Sequence, residues 1–469
     1  MTESAIAPPA ASVPVTQVID GCEFRGVSLH VFLFTLLTLV FDGFDIQAVG
    51  FVAPALLGEW GITRAELSPV LAAALVGMAA GAMFIGRLGD SWGRRTALIV
   101  SMMVVAAGAL LSAYARTPGE LALFRFITGL GLGGSLPNAT SLMVEFAPLV
   151  VRNLLVTSTI VGVPIGGMVG AEVAAHLLPT FGWRSVFMAG ALLPLLLALA
   201  MWLWMPESPR YLARHAKRSG ELAQLLNRLS HTDRYHAHDT FVIAEQALDK
   251  RREGLGALFA PGYRADTLLL WMSFLASIFG VYALFNWLPT VLSGVGLPMP
   301  IALRCALVVN LGGVLGAFVM ASGMNRIGSR KVLLAFSVMG ALLAITLATF
   351  QRALFDPSDL TALLIIMAGI GAAILGVQTG LYSVSAHAYP TSARATGVGA
   401  ALGVGRLGGI LSAFAGALVS TPGGGVAPFF GGIAAVVVVM AVSIGTFGRH
   451  IPPVPRQARH SERARAGVS

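Results

Sequence analysis

The chain has 469 residues, 56% of them hydrophobic and only 11% charged, with a mean hydropathy of +0.79 and a formal net charge of +9. That composition excludes a soluble globular protein. The basic excess does not point to nucleic acid, because the Lys and Arg residues are spread between apolar runs and form no single patch.

A helix needs about 20 apolar residues to cross a bilayer. Twelve runs qualify, at 29–53, 66–86, 95–114, 120–144, 153–176, 184–205, 266–292, 300–322, 332–350, 360–383, 395–419 and 426–448. They predict an all-α membrane protein with twelve transmembrane helices in two six-helix, pseudo-symmetric bundles. The expected organisation is a cytoplasmic N-terminal tail (1–28), an N-terminal six-helix bundle (29–205), a cytoplasmic linker (206–265), a C-terminal six-helix bundle (266–448) and a basic cytoplasmic tail (449–469). Charge sets the sidedness. With the N-terminus inside, twenty-four of the 31 Lys and Arg residues fall in cytoplasmic segments and five in outer loops, while Arg125 and Arg406 fall within spans. Positive residues stay inside, so both termini are expected in the cytoplasm. The first 28 residues show no signal-peptide pattern. An amphipathic helix is expected in the linker around Glu221–Arg252. His231, His236 and His238 are too loosely spaced to require a metal, and Cys22 and Cys305 fit no metal or disulfide pattern. No cofactor and no enzyme chemistry are implied.

In chain order, the first span carries Asp42 and Asp45. An acid at that depth costs a few kcal/mol or more and is rarely kept without a role. Three residues apart, the two share one helix face. A carboxylate that can take a proton inside a membrane is a natural coupling site for a proton-driven carrier. The second loop reads Gly86-Arg-Leu-Gly-Asp90-Ser-Trp-Gly-Arg94-Arg95. Gly allows a tight turn, and Asp90 can cap a helix or meet an arginine, so Gly86, Asp90, Arg94 and Arg95 are read as gating residues. Arg125 lies about 9 Å into the fourth span, and Asp42 and Asp45 about 20–24 Å into the first, which runs the other way. The depths match, so an Asp–Arg pair is expected, with one acid left free to titrate. The glycines after Arg125 read as packing surface.

The second half echoes the first. Gly162–Ala171 and Val404–Ala413 align at an offset of 242, as do Pro148 with Pro390, Arg152 with Arg394, and Glu145 with His387. Glu145 and His387 are therefore read as gate residues. Asp90-Ser-Trp-Gly-Arg-Arg is echoed by Asn325-Arg-Ile-Gly-Ser-Arg, so the gate should be asymmetric. The seventh span offers Tyr282, Phe285 and Asn286, and the tenth Gln378, Tyr382 and Ser383, as polar and aromatic stripes. Arg406 lies about 18 Å into the eleventh span. The C-terminal spans hold no buried Asp or Glu to meet it, and a buried arginine needs an anionic partner. A substrate carboxylate suits it bidentately. Tyr282, Asn286, Gln378, Tyr382, Arg125 and Arg406 are the substrate-binding candidates.

The Gly86–Arg95 loop resembles the signature of the major facilitator superfamily. With Asp42-Gly-Phe-Asp45, Gly131–Asn138, Pro206-Glu-Ser-Pro-Arg210, Asn286–Pro289 and Arg394–Gly399 leading to Gly405–Gly408, the chain is similar to that superfamily's aromatic acid:proton symporters over all twelve spans. It looks closest to carriers of 3-(3-hydroxyphenyl)propionate or hydroxybenzoates. The resemblance implies that Asp42 and Asp45 take part in transport. It also implies import of a small aromatic carboxylate with protons, by alternating access, in a bacterial inner membrane, with a monomer expected. Two readings stay open beside it. Val161-Gly-Val-Pro164-Ile-Gly166-Gly167 is similar to a helix motif of drug/proton antiporters, with Val163 in place of Gly and one residue short, so the alternative is an exporter of aromatic or drug-like compounds. The other is a non-transporting membrane receptor on the same fold.

Overall fold

The computed structural model describes residues 12–242, 255–350, 354–355, 359–390, 393–419 and 426–453. Arg352, Asp356, the far end of the expected linker helix at Arg252 and most of the basic tail lie outside the described residues. Twelve long helices run in chain order: α1 (Val27–Trp60), α2 (Arg64–Trp92), α3 (Arg94–Ala113), α4 (Pro118–Phe146), α5 (Arg152–Phe181), α6 (Trp183–Trp204), α7 (Arg264–Gly294), α8 (Met299–Ile327), α9 (Ser329–Thr349), α10 (Thr361–Ala388), α11 (Arg394–Val419) and α12 (Ala427–Thr446). Eleven of them contain a stretch long and apolar enough to cross a membrane. The exception, α4, has 29 residues but is diluted by Glu120, Arg125 and its glycines. It packs between α2 and α3, so protein rather than lipid covers Arg125, while Glu120 is exposed in its first turn.

Local chemistry sets several helix starts. Thr63 and Glu66 form a reciprocal capping box on α2, and Thr117 caps α4 ahead of Pro118. The packing repeats with a period of six helices. The pairs α1–α5, α2–α4 and α3–α6 recur as α7–α11, α8–α10 and α9–α12. The halves meet along α1/α7, α2/α11 and α5/α8, a pattern that maps onto itself when the halves are exchanged. The sequence echo at offset 242 is an echo of this packing. A Cβ on Gly166 of α5 would lie 1.8 Å from the Val40 carbonyl oxygen of α1, and one on Gly408 of α11 would lie 2.1 Å from that of Leu275 on α7. Only glycine lets these backbones approach so closely.

The linker departs from expectation. Its helix is shorter, Ser219–Ser230, and stops at His231 in the left-handed conformation. It buries Leu222, Leu226 and Leu229 in a cluster shared with Val15 and Ile19 of the short helix Val15–Asp20. One small parallel ladder, β1 (Ser12–Pro14) with β2 (Thr240–Val242), joins the N-terminal segment to the linker. An ion pair between Asp20 and Arg152 ties this cap to α5.

Candidate functional site

The two acids of α1 have different surroundings. Asp45 is held by Arg125 of α4. Nη1 donates to Oδ1 at 2.9 Å, Nη2 to Oδ2 at 2.7 Å, and Nη2 also to the Asp45 carbonyl at 2.9 Å. Arg125 is 0% exposed, and its guanidinium lies 5.7 Å from the Phe187 ring centroid. This is the bidentate fork that a planar guanidinium makes with a carboxylate. Asp42, one turn earlier and 3% exposed, receives a hydrogen bond from Ser135 Oγ at 3.1 Å instead. Among the described residues it takes part in no ion pair.

The C-terminal half supplies a different set. Arg406 of α11 is half-buried and donates from Nη1 to the Met78 carbonyl of α2 at 3.3 Å. It lies close enough to act electrostatically on both Tyr282 and Tyr382. Ser277 donates to Gln378 Oε1 at 2.6 Å, and Gln378 in turn bonds Tyr382. Phe274 meets Tyr382 edge-on at 5.7 Å, and Phe285 meets Tyr282 at 6.1 Å. Asp42 is within electrostatic reach of Tyr282. The structure thus gathers Asp42, Tyr282, Gln378, Tyr382 and Arg406 where the halves meet. It encloses Arg125 inside the N-terminal bundle with Asp45. Asn286 is buried beside Gly50 of α1, with its amide nitrogen unpartnered.

Two residues at this interface were passed over in the sequence. Gln47 of α1 and Asn310 of α8 exchange hydrogen bonds, 3.1 Å from Gln47 Nε2 to Asn310 Oδ1 and 2.9 Å from Asn310 Nδ2 to Gln47 Oε1. Both are buried. A Cβ on Gly167 would lie 2.0 Å from Gln47 Nε2 and 2.7 Å from Asn310 Oδ1, so this clasp needs glycine there. The available signal was an amide within an apolar run of each half. Ser135 gave less, since a serine in a glycine-rich helix reads as packing.

At the arginine-rich end, Asp90, Arg94, Arg95 and Glu145 are brought together. Arg94 Nε donates to Glu145 at 2.8 Å, and Nη2 to Asp90 at 3.2 Å. Ser208 donates to the other Glu145 oxygen. Glu207 Oε1 accepts the backbone N–H of Arg95 at 3.1 Å and of Ser208 at 2.8 Å. Burial pushes the Glu207 carboxyl above its ordinary range. The Arg95 guanidinium donates to the Trp202 carbonyl. The turn itself relies on Gly93, whose φ of +98° favours glycine and whose Cβ would lie 2.3 Å from Glu207. Gly86 lies beside Pro137 of α4. His387, the counterpart of Glu145, is exposed and stands outside this cluster.

Two six-helix halves related by exchange, with polar groups gathered between them, define a membrane carrier. Comparison with known proteins agrees. The Major Facilitator Superfamily model matches residues 35–413. The 4-hydroxybenzoate transporter PcaK of Pseudomonas putida is 37% identical over 406 residues, covering 87% of this chain and 89% of that protein. The gallate transporter of Pseudomonas putida is 34% identical over 423 residues, covering 90% and 92%. In fold, the inward-open xylose transporter XylE from E. coli matches with a TM-score of 0.69 at 17% identity, over 90% of this chain and 97% of that one. The chain belongs to the major facilitator superfamily, within its aromatic acid family. It is a multi-pass membrane transporter and not an enzyme.

Proposed function

We propose that this carrier imports an aromatic carboxylate by proton symport across a bacterial inner membrane, as a monomer with both termini in the cytoplasm. The observation that carries this reading is the division of charge between the halves. Arg125 already neutralises Asp45, whereas among the described residues Asp42 accepts from a hydroxyl and Arg406 donates to a backbone carbonyl, neither in an ion pair. A carboxylate without a counter-charge is the one a proton can neutralise in passage. A half-buried arginine without an acid is the one a substrate carboxylate can complete. Tyr282 and Tyr382 lie within electrostatic reach of it and their rings suit a flat aromatic ligand, with Gln378 hydrogen-bonded to Tyr382. The names of the relatives, 4-hydroxybenzoate and gallate transporter, support an aromatic acid.

In the cycle we propose, Asp42 takes a proton from outside and the substrate carboxylate docks on Arg406. Loading biases the halves toward the inward-facing form. The Gln47–Asn310 clasp then closes the outer seam, and contacts at the arginine-rich end part. Proton and substrate leave to the cytoplasm.

The test is uptake of labelled 4-hydroxybenzoate and 3-(3-hydroxyphenyl)propionate into proteoliposomes with an acid-outside gradient. Accumulation should occur, collapse with a protonophore, and fall to background in Asp42→Asn. Absence of gradient-driven accumulation of both acids would favour export or another ligand class. If Asp42→Asn also loses exchange of substrate for substrate, the residue is structural or substrate-binding instead.

A further inference from the structure

We propose that Ser135 is a positioning residue for proton coupling. Its hydroxyl changes acceptor as Asp42 gains and loses its proton, and so sets the pH at which uptake is half-maximal. This rests on the reading of Asp42 as the proton carrier.

Ser135 Oγ is fully buried and stands 3.1 Å from three acceptors: Asp42 Oδ1, the Gly131 carbonyl and the Leu132 carbonyl. A serine hydroxyl has one proton and two lone pairs, so it serves one acceptor at a time. With Asp42 ionised, the carboxylate is the strongest acceptor and takes the bond. With Asp42 protonated, the new acid O–H donates to Ser135 Oγ, and the serine proton turns back to the Gly131 carbonyl, the i−4 acceptor a helical serine commonly uses. In both states the Ser135 hydroxyl proton has an acceptor. The arriving proton stays on Asp42 and leaves from it, and Ser135 keeps its own, so the serine is no relay.

The surroundings confine the change to a hydroxyl rotation. A Cβ on Gly131 would lie 2.6 Å from the Ser101 carbonyl of α3, so α4 is wedged against α3 at this level. The charged and titratable groups around Asp42 do not duplicate the role. Asp45 on the same helix is engaged by Arg125 of α4, and Tyr282 of α7 is within electrostatic reach of Asp42. The helices packed on α1 carry their other such groups toward their ends: Arg64, Glu66, Arg87 and Asp90 on α2, Arg94 and Arg95 on α3, Glu120 and Glu145 on α4, Arg152, Glu172 and His176 on α5, Arg184 on α6, Arg264 and Asp266 on α7, and Glu221 and Arg228 on the linker helix.

Without the hydroxyl, ionised Asp42 has lost its donor, and a donor favours the charged form. Initial uptake of labelled 4-hydroxybenzoate into proteoliposomes, measured across external pH, should therefore have its midpoint raised by about one pH unit or more in Ser135→Ala. Ser135→Thr should restore the parent profile. Ser135→Cys, a weak donor of similar size, should move it part-way and serves if the alanine variant does not assemble. An unchanged midpoint in Ser135→Ala, or in Ser135→Cys alone, overturns the proposal. The coupling reading survives that result if Asp42→Asn has lost gradient-driven uptake. Gradient-driven uptake retained in Asp42→Asn overturns both.

Discussion

Arg125 and Arg406 both lie within long helices, one in each half, yet their partners differ in kind. Arg125 makes three hydrogen bonds to Asp45 of its own bundle, while among the described residues Arg406 crosses the interface to a single carbonyl on α2. The arginine-rich ends differ in the same way. In the N-terminal half the turn after α2 is tied down by carboxylates, Glu145 and Glu207. In the C-terminal half the turn after α8 is tied by Arg330 to the Gly445 carbonyl at 2.6 Å and by Ser329 to His450 at 3.1 Å. Both turns keep a left-handed glycine, Gly93 and Gly328. The duplicated part of this protein is its close backbone packing, which tolerates little besides glycine. The buried charges are not duplicated, and among the described residues that asymmetry leaves Asp42 and Arg406 without ion pairs.

The same substitution in the two halves should break this comparison open. Arg125→Gln leaves Asp45 buried and unpaired, a loss of about 3–5 kcal/mol. Thermal unfolding in detergent should show a large drop, which the double variant Asp45→Asn with Arg125→Gln partly recovers. Equal stability of the single variant and the parent would mean that the pair does not hold the fold. Arg406→Gln removes no ion pair among the described residues and should unfold near the parent temperature, while affinity for the aromatic acid falls at least about tenfold, or ~1.4 kcal/mol. Unchanged affinity would remove Arg406 from the site.

The smallest effect tests the asymmetry of the ends. Glu207→Gln keeps an oxygen for the N–H groups of Arg95 and Ser208 and removes only the ionisable proton. Because burial raises the Glu207 carboxyl, its contribution to stability is complete below the ordinary glutamate range and is lost as pH rises through the raised value. Stability of the parent should slope downward across that window, and the variant should lack the slope. A parallel slope in both would assign the pH dependence to another group.

Much of this was legible along the chain. Apolar run length placed the helices, because lipid demands a satisfied backbone and a fixed span. The 242-residue echo announced the repeat, and matched depths brought Arg125 to the α1 acids. Other features were not. The linker helix ends at Ser230 rather than near Arg252, where amphipathicity had no terminator to show. Glu207 and Ser208 stood in a recognised motif, but nothing in their order announced that they fasten the α2–α3 turn.

Composition, periodicity and the placement of arginine were enough for a twelve-helix carrier with acids and arginines at working depth, since burial of charge in a membrane is costly wherever it occurs. Which of two acids three residues apart receives the guanidinium was not contained in their spacing. Nor was the meeting of Gln47 with Asn310, 263 residues later, or the closeness of a serine hydroxyl to Asp42 and two carbonyls. Those follow from how glycine-lined helices rotate and approach, and a hydrogen bond that works at 3 Å is decided by that approach rather than by residue type.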